Sequence, residues 1–197
     1  AGQGAERLRA AGIPAELVSD ASLRRECAEL IRPFAHWAAT GLPWVVLKTA
    51  HRAEPQFSQI SMIPPAGQKT FTSPASLLLA HQLRRRADAI LTGSGTVLAD
   101  RPEFTVRHLP DHESIKKGLK KRWIVVMDRR GRTPQDWVAA AESHGQTVLI
   151  RSDLDQTLGE LGRLGALSVL VEAGPALSSA FLSAGLWNRH VVISLGE

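Results

Sequence analysis

Apolar runs alternate with helical segments along most of this chain. Six short runs rich in Val, Ile and Leu are typical of buried strands. They predict strands at 43–50, 89–91, 122–128, 147–151, 168–171 and 189–194. Helices are predicted between them at 73–86, 134–143, 153–164 and 175–184. Because strand and helix alternate, the sequence predicts an α/β fold with a largely parallel sheet flanked by helices.

The start of the chain has a different pattern and predicts an appendix to the main body. The end of a helix is predicted at 4–11 and a short strand at 15–19. Asp20 is suited to cap a further helix at 21–39, and Pro33 should kink or divide that helix.

Polar side chains follow four of the predicted strands. Lys48 stands near the exit of the first strand, and the glycine-spaced segment 92–96 follows the second. The arginine-rich segment 129–132 follows the third, and Glu172 opens a turn after the fifth. Ligands of open parallel sheets bind beyond the carboxyl ends of the strands, so these groups should converge at one edge. Lys48 is then either a ligand contact or a side chain that reaches past the strand to solvent.

The segment 87–107 holds the densest chemistry. Its residues 92–96, TGSGT, predict a glycine-rich loop whose backbone a ligand can approach. Asp100 follows, and a segment at 104–106 that is predicted to be extended leads to Arg107. A phosphorylated polar substrate beside a cofactor would need such N–H groups, a carboxylate and a guanidinium. The alternative is an ordinary turn with a surface ion pair.

A second turn, VEAGP at 171–175, precedes a helix that begins with proline. The unpaired N–H groups of such a helix start would bind a phosphate, or the turn is a plain connection with a capping carboxylate. Arginines at 129, 130 and 132 could recognise a 2′-phosphate, which would favour NADP over NAD, or form a surface cluster. Gly93 and Gly95 lack the third glycine of the G-x-G-x-x-G dinucleotide fingerprint.

Composition excludes several classes of protein. The 197 residues are 44% hydrophobic, enough for the core of one ordinary domain. The single Cys27 excludes an internal disulfide and a cysteine-rich zinc site, and suits a cytoplasmic protein. The net charge of +5 permits a nucleic-acid partner, but strands interrupt the basic clusters and no nucleic-acid motif accompanies them. The chain also lacks an apolar run near the roughly 20 residues that cross a bilayer, a signal-peptide-like start, a P-loop and an H-E-x-x-H motif.

Several motifs together resemble one known family. They are VVLKTA at 45–50, ADAILTGSGTVLADRPEFTVR at 87–107, WIVVMD at 123–128 and LVEAGPALSSAFLSAGL at 170–186. In this order they resemble the pyrimidine reductase domain of riboflavin biosynthesis, which often follows a zinc deaminase in one chain. The resemblance implies a dihydrofolate-reductase-like fold for 43–197 and, for 1–42, a linker or the tail of a deaminase domain. The deaminase's own zinc motif is missing, so no metal site is expected.

The resemblance also implies a role for each matched residue. The cofactor NADPH would reduce the ribosyl group of 5-amino-6-(5-phosphoribosylamino)uracil at C1′ and open it to a ribityl chain. Substrate contacts are implied at Lys48, Arg84, Arg107, Glu172 and the backbone of Phe104. Cofactor contacts are implied at Ala50, Thr96, Asp100, Gly174, Pro175, Ala176, Leu177, Ser178, Ser179 and Ala180, and the arginine pattern adds Arg129. Lys48 and Asp100 are the candidates for catalysis, Asp100 by steering or by proton transfer near the nicotinamide.

The chain departs from the family pattern after its first strand. HRAE at 51–54 replaces the usual S-x-D-G, and Gln68 and Thr70 stand nearest to the family's phosphate-binding serine and its tryptophan. Arg129 stands where a serine is frequent, and the family's last strands and helix are missing. These departures leave a second hypothesis open, a non-catalytic nucleotide-binding or dimerisation module of the same fold. A homodimer is expected by analogy with the family, with a deaminase domain either fused or separate.

Overall fold

The computed structural model describes residues 3–52, 73–106 and 122–195. The strands in this part of the chain are β1 (Trp44–Arg52), β2 (Ala89–Gly93), β3 (Arg122–Met127), β4 (Gln146–Arg151), β5 (Ser168–Glu172) and β6 (Arg189–Leu195). The helices are α1 (Gln3–Ala10), α2 (Ala21–Thr40), α3 (Pro74–Arg86), α4 (Ser94–Asp100), α5 (Gln135–Ser143), α6 (Leu154–Arg163) and α7 (Pro175–Ala184). Strand and helix alternate from β1 onward, which confirms the predicted α/β class.

The described strands form one sheet in the order β4-β3-β2-β5-β1-β6, and every neighbouring pair is parallel. The register places Lys48 beside Glu172 and Leu91 beside Val171. Thr92 follows Leu91, so Thr92, Glu172 and Lys48 stand in one row across the centre of the sheet. Because the strands share one direction, their carboxyl ends meet at one edge, which we call the carboxyl edge.

Side chains alternate between the two faces of the sheet, and each face has its own core. One core joins strand residues to α6 and α7 and contains Val45, Leu47, Leu91, Val125, Val171, Leu161 and Phe181. The other joins strand residues to α4, α5 and the segment after α4, and contains Ile90, Ile124, Val126, Val97, Trp137 and Phe104. Lys48 and Glu172 alternate along their strands with members of the first core. Both therefore point to the second face.

Local capping sets several helix boundaries where the sequence predicted them. The side chains of Asp20, Ser73 and Asp153 each accept at least one backbone N–H bond from the first turn of α2, α3 and α6. Gly41 and Gly185 end α2 and α7 in the left-handed conformation, with φ of 72° and 65°.

The structure differs from the sequence prediction in the first forty residues. Helix α2 continues without a break through Pro33, so of the two predicted effects of this proline, a kink or a division, the division is wrong. Its end is held on the domain, because Trp37 Nε1 donates a hydrogen bond to the carbonyl of Gly162 at 2.8 Å. Gly162 is itself so near α2 that a Cβ there would lie 1.9 Å from the Gly41 carbonyl oxygen. No strand forms at 15–19, since no described neighbour offers that segment a ladder partner.

Two predictions around α4 are also wrong. Residues 94–96 are the first turn of a helix and not a loop. Val97 is fully buried, and this packing stabilises a short helix that a glycine-rich sequence does not favour. Phe104 is not extended but left-handed, at φ 50°. This conformation buries its ring edge-on against Trp137, with the ring centres 6.5 Å apart.

The buried side of α3 is not formed by its run of leucines. Leu78 and Leu79 are more than a third exposed, whereas Ala80 and His81 are buried. Arg84 lies one turn beyond Ala80 and binds Glu172 on the sheet. We attribute the burial of this side of α3, in place of the side with Leu78 and Leu79, to the ion pair. The pattern of apolar residues does not reveal such a pair.

Candidate active site

A cluster of three charged side chains lies at the carboxyl edge, on the face of the sheet covered by α3. Glu172 ends β5, and only 7% of this residue is exposed. Arg84 of α3 binds both of its oxygens, with Nε 2.5 Å from Oε1 and Nη2 2.8 Å from Oε2. Lys48 of β1 donates to Oε2 at 3.2 Å. The fold thus brings together three residues that are distant in sequence, since Lys48 and Glu172 are 124 positions apart.

Each charge in this cluster stabilises the ionised form of its partner. Burial alone would raise the pKa of the Glu172 carboxyl, but Lys48 and Arg84 outweigh burial and lower that pKa to about 2. Burial alone would lower the pKa of Arg84, but its hydrogen bonds to Glu172 and the charge of that carboxylate raise it. Glu172 is therefore ionised at neutral pH, and with two cations beside it the cluster has a net positive charge.

The segment after α4 contacts Arg84 on a second side. Arg84 Nη1 donates to the carbonyl of Thr105 at 3.5 Å, and the guanidinium carbon of Arg84 lies 5.8 Å from the centre of the Phe104 ring. The backbone of Phe104, predicted to contact the substrate, therefore lies next to the cluster. Arg107 was predicted to contact the substrate as well, and it falls outside the described residues.

A second part of the carboxyl edge joins α4 to α7. The N–H of Gly174, at the start of α7, donates to Thr96 Oγ1 at 3.2 Å. Asp100 is exposed and lies one helical turn after Thr96, so both residues share one side of α4. We call the surface formed by Thr96, Asp100 and Gly174 the α4–α7 strip. All three were predicted to contact the cofactor.

The start of α7 is accessible to a ligand. Gly174 carries no side chain that could cap the helix, and a Cβ at the nearby Gly95 would meet nothing within 4 Å. Of the remaining predicted cofactor residues on α7, those with exposed side chains are Pro175, Ala176, Ser179 and Ala180. Ser178 is fully buried and donates to the carbonyl of Ala173 at 3.2 Å, so it holds the turn. Its N–H donates to the carbonyl of Gly174 at 3.1 Å, so both donors of Ser178 are bonded within the protein.

The turn after β3 is built on Asp128, which the sequence analysis did not select. Its carboxylate accepts hydrogen bonds from the N–H and the hydroxyl of Thr133, both at 2.7 Å, and from the N–H of Arg130 at 3.2 Å. Burial alone would raise the pKa of Asp128, but these bonds and one with Ser94 lower it to about 2. An Asp directly after an apolar strand, followed by a glycine-containing turn, was the available signal.

The arginines of this turn point to different places. Arg132 Nη2 donates to the hydroxyl of Ser94, the first residue of α4, at 3.1 Å. Arg129 Nε instead donates to the carbonyl of Ser152 at 3.2 Å. Ser152 follows β4, the outermost strand on that side of the described sheet. Arg132 thus reaches the first turn of α4, and Arg129 does not.

Two further residues stand on the strands of the cluster. Ala50, a predicted cofactor contact, is buried two residues after Lys48 in β1. Thr92 is buried in the row of Lys48 and Glu172, and its hydroxyl has no hydrogen-bond partner among the described residues. A buried hydroxyl without a partner is costly, which makes Thr92 a candidate ligand contact that no sequence signal marked.

Within residues 3–52, 73–106 and 122–195, no three His, Cys, Asp or Glu side chains are grouped so that they could hold a metal ion. Among the helices of the same ranges, none combines the length and the apolar character needed to span a membrane.

Comparison with known proteins gives consistent matches. The family model of the RibD C-terminal domain matches residues 62–195. The riboflavin biosynthesis protein RibD of Mycobacterium tuberculosis is 35% identical over 193 residues, covering 96% of this chain and 52% of that protein. RibD of Escherichia coli is 31% identical over 219 residues, with coverages of 98% and 58%. A solved structure of Acinetobacter baumannii RibD superposes with a TM-score of 0.70 at 26% identity, covering 100% of this chain and 58% of that one. The chain therefore spans about half the length of the curated relatives it matches.

Proposed function

Because this chain belongs to the RibD C-terminal domain family, the reductase family of riboflavin biosynthesis, we propose that it reduces 5-amino-6-(5-phosphoribosylamino)uracil with NADPH. The family is one of oxidoreductases with a dihydrofolate-reductase-like fold, to which the parallel sheet described above belongs. The observation that carries the proposal is the ion cluster of Lys48, Arg84 and Glu172 beside the open α4–α7 strip.

The ion cluster is suited to hold a polar, negatively charged substrate. The ammonium of Lys48 has three N–H donors, of which Glu172 takes one among the described residues. Each oxygen of Glu172 has two acceptor sites, and among the described residues Oε1 receives a single bond, from Arg84. The cluster can therefore donate to substrate oxygens and accept from a substrate N–H group. Because Arg84 and Lys48 are already held by Glu172, they need little reorganisation to do so.

The α4–α7 strip fits the cofactor. The uncapped N–H groups in the first turn of α7 would hold the pyrophosphate, with open space beside them at Gly95, and Thr96 and Asp100 line the same strip. When bound, NADPH would supply the hydride that reduces C1′ of the ribosylamino group.

The protein must supply a proton for this reaction. As the hydride reaches C1′, the bond from C1′ to the ring oxygen breaks, and that oxygen takes up a proton. We assign this transfer to Lys48 or Asp100, the two catalytic candidates, because Lys48 has N–H donors that no described residue takes and Asp100 is exposed on the strip. Arg84 and Glu172 orient the substrate.

We further propose that residues 1–42 are a linker or the tail of a deaminase domain and that 43–197 form the reductase domain. The apolar side chains of Leu17, Leu30 and Phe34 are exposed, which suits a surface covered by another domain. We also propose a cytoplasmic homodimer, by analogy with the family. Sedimentation over a range of concentrations would test the dimer.

A binding and turnover experiment tests the proposed function. The chain is titrated with NADPH and with NADH by fluorescence, and oxidation of NADPH is then followed with and without the phosphoribosylaminopyrimidine. We expect micromolar binding of NADPH, weaker binding of NADH, and oxidation only when the substrate is present. Binding without oxidation would favour the non-catalytic module, and the absence of binding by either nucleotide would reject the reductase proposal.

A further inference from the structure

We infer that Arg132, and not Arg129, recognises the 2′-phosphate of the dinucleotide in this chain, an inference that rests on the proposed function. The sequence offered three arginines for this role and Arg129 was selected as the cofactor contact. In the described part of the chain its guanidinium has no carboxylate partner. Its one hydrogen bond is to the neutral hydroxyl of Ser94, so its charge is available to an anion.

Hydrogen bonds to Asp128 hold the turn that carries Arg132. The Asp128 carboxylate accepts from the backbone N–H of Arg130 and from that of Thr133, and Arg132 lies between these two residues. Gly131 turns the chain at φ 62°, a conformation that glycine adopts without strain. Ser94, which holds the guanidinium, is itself only 3% exposed. One buried carboxylate thus holds the backbone on both sides of Arg132, and a buried hydroxyl orients its side chain.

The position of Arg132 favours the cofactor over the substrate. Ser94 starts α4 two residues before Thr96, which binds Gly174 and so belongs to the α4–α7 strip. The ion cluster lies on β5 and β1, and β2 separates β3 from these strands. Two strand spacings, about 10 Å, separate β3 from Glu172 on β5, and three separate it from Lys48 on β1. A phosphate held by Arg132 would therefore lie by the first turn of α4 and away from the ion cluster, which fits a dinucleotide bound at the α4–α7 strip.

The other two arginines of the turn are less suited. Arg129 donates a hydrogen bond to the carbonyl of Ser152, which follows β4, and so points away from α4. Arg130 contributes its backbone N–H to Asp128, and no described side chain orients its guanidinium. Only Arg132 combines an unneutralised guanidinium with a contact to α4 within the described residues.

Nucleotide selectivity tests this inference on the full chain. We compare wild type with Arg132→Gln, Arg132→Lys, Arg129→Gln and Arg25→Gln, measuring the Kd of NADPH and of NADH for each. Arg25 is exposed on α2, so its substitution removes the same charge far from the carboxyl edge. NADH has a hydroxyl in place of the 2′-phosphate, and it therefore reports whether the rest of the cofactor surface is intact.

We expect Arg132→Gln to weaken NADPH binding by about 10- to 100-fold, the usual effect of losing a charge-assisted hydrogen bond, and to leave the Kd of NADH within about twofold. Arg132→Lys should recover part of the lost NADPH affinity, because lysine keeps the positive charge but cannot form the bidentate hydrogen bonds of a guanidinium. Arg25→Gln should change neither Kd.

Three results would overturn the inference. One is an equal loss for both nucleotides in Arg132→Gln, which would mean a structural role. Another is a selective loss of NADPH in Arg129→Gln alone. The third is an unchanged NADPH-to-NADH ratio in Arg132→Gln together with a raised KM for the phosphorylated substrate. A wild-type chain that binds neither nucleotide would instead refute the proposed function.

Discussion

Arg84 and Glu172 form a two-point ion pair, in which Nε and Nη2 of the arginine lie 2.5 and 2.8 Å from the two carboxylate oxygens. Arg84 comes from the last turn of α3 and Glu172 from the end of β5. Paired donors of this kind fix both direction and distance. The pair therefore links the position of a helix to the chemistry at the carboxyl edge, and Lys48 shares the same carboxylate.

Replacing Glu172 with Gln should reduce both stability and activity. Two largely buried cations would lose their carboxylate, a change that typically costs about 3–5 kcal/mol in the free energy of unfolding. Urea denaturation gives this quantity, with Glu160→Gln as control. Glu160 pairs with Arg151, and both side chains are about a third exposed, so its loss should cost less than about 1 kcal/mol. Equal effects of the two substitutions would contradict the prediction.

Stability should fall as the solution becomes acidic. Glu172 and Asp128 have a pKa of about 2 in the folded protein, below their values in an unfolded chain near 4. A carboxyl group of this kind stabilises the fold above its unfolded pKa, and this contribution is lost as the pH falls from about 5 to about 2. For Glu172 the shift corresponds to about 3 kcal/mol. Urea midpoints measured between pH 7 and pH 3 should decline, and less steeply in Glu172→Gln. A parallel decline in that variant would assign the acid sensitivity to other groups.

Gly162 should tolerate no side chain. A Cβ at this position would lie 1.9 Å from the Gly41 carbonyl oxygen, so Gly162→Ala must displace α2 from α6. We expect a loss of about 1–3 kcal/mol in the free energy of unfolding, typical of overpacking. Gly159→Ala in the same helix is the matched control, since a Cβ there meets nothing within 4 Å. That control should be neutral or gain up to about 1 kcal/mol from helix propensity. A neutral Gly162→Ala would show that α2 does not pack closely at this point in solution.

Asp100→Asn should lower turnover without lowering stability. The residue is exposed at the end of α4, so the fold does not depend on its charge. If Asp100 steers the reactants or transfers the proton, kcat should fall by about 100-fold or more, the usual range for general acid–base groups. Asp155→Asn removes a charge near the start of α6 and serves as control. Full turnover in Asp100→Asn would remove this residue from the mechanism and leave Lys48 as the candidate.

Thr92→Val tests whether the unpaired buried hydroxyl serves a ligand. The substitution keeps the shape and removes a group that lacks a partner within the described structure, so stability should stay constant or rise by about 1 kcal/mol. If a ligand uses the hydroxyl, the KM for substrate or cofactor should rise severalfold. Thr49→Val is the matched control, because the Thr49 hydroxyl lies 2.9 Å from Nε2 of His190 and its loss should cost about 1 kcal/mol. Destabilisation of Thr92→Val with unchanged KM would show that this hydroxyl has a structural partner instead.

Much of the fold could be predicted because its signals are local. The caps at Asp20 and Ser73 and the stop at Gly185 depend on residues within one helical turn, and each lies where the sequence placed it. The alternation of strand and helix indicated a largely parallel sheet, because a helix is the usual crossover between two parallel strands. Lys48 and Glu172 could then be expected at one edge from their places at strand ends.

Other features depend on contacts between distant parts of the chain. The helical form of 94–100 depends on the burial of Val97, and the left-handed backbone of Phe104 depends on the pocket its ring enters beside Trp137. Neither follows from local propensity, which favours a loop in the first case and an extended backbone in the second.

The amino-acid sequence by itself determined the α/β class, most element boundaries and the set of polar groups available at the strand ends. Only the tertiary structure decided that Arg84 binds Glu172, that Asp128 organises the turn after β3, and that Arg132 and Arg129 point to different places. The physical reason is that helix and turn signals arise from neighbours in sequence. Ion pairs and side-chain directions arise instead from the order of strands in the sheet, which brings together residues 38, 88 and 124 positions apart.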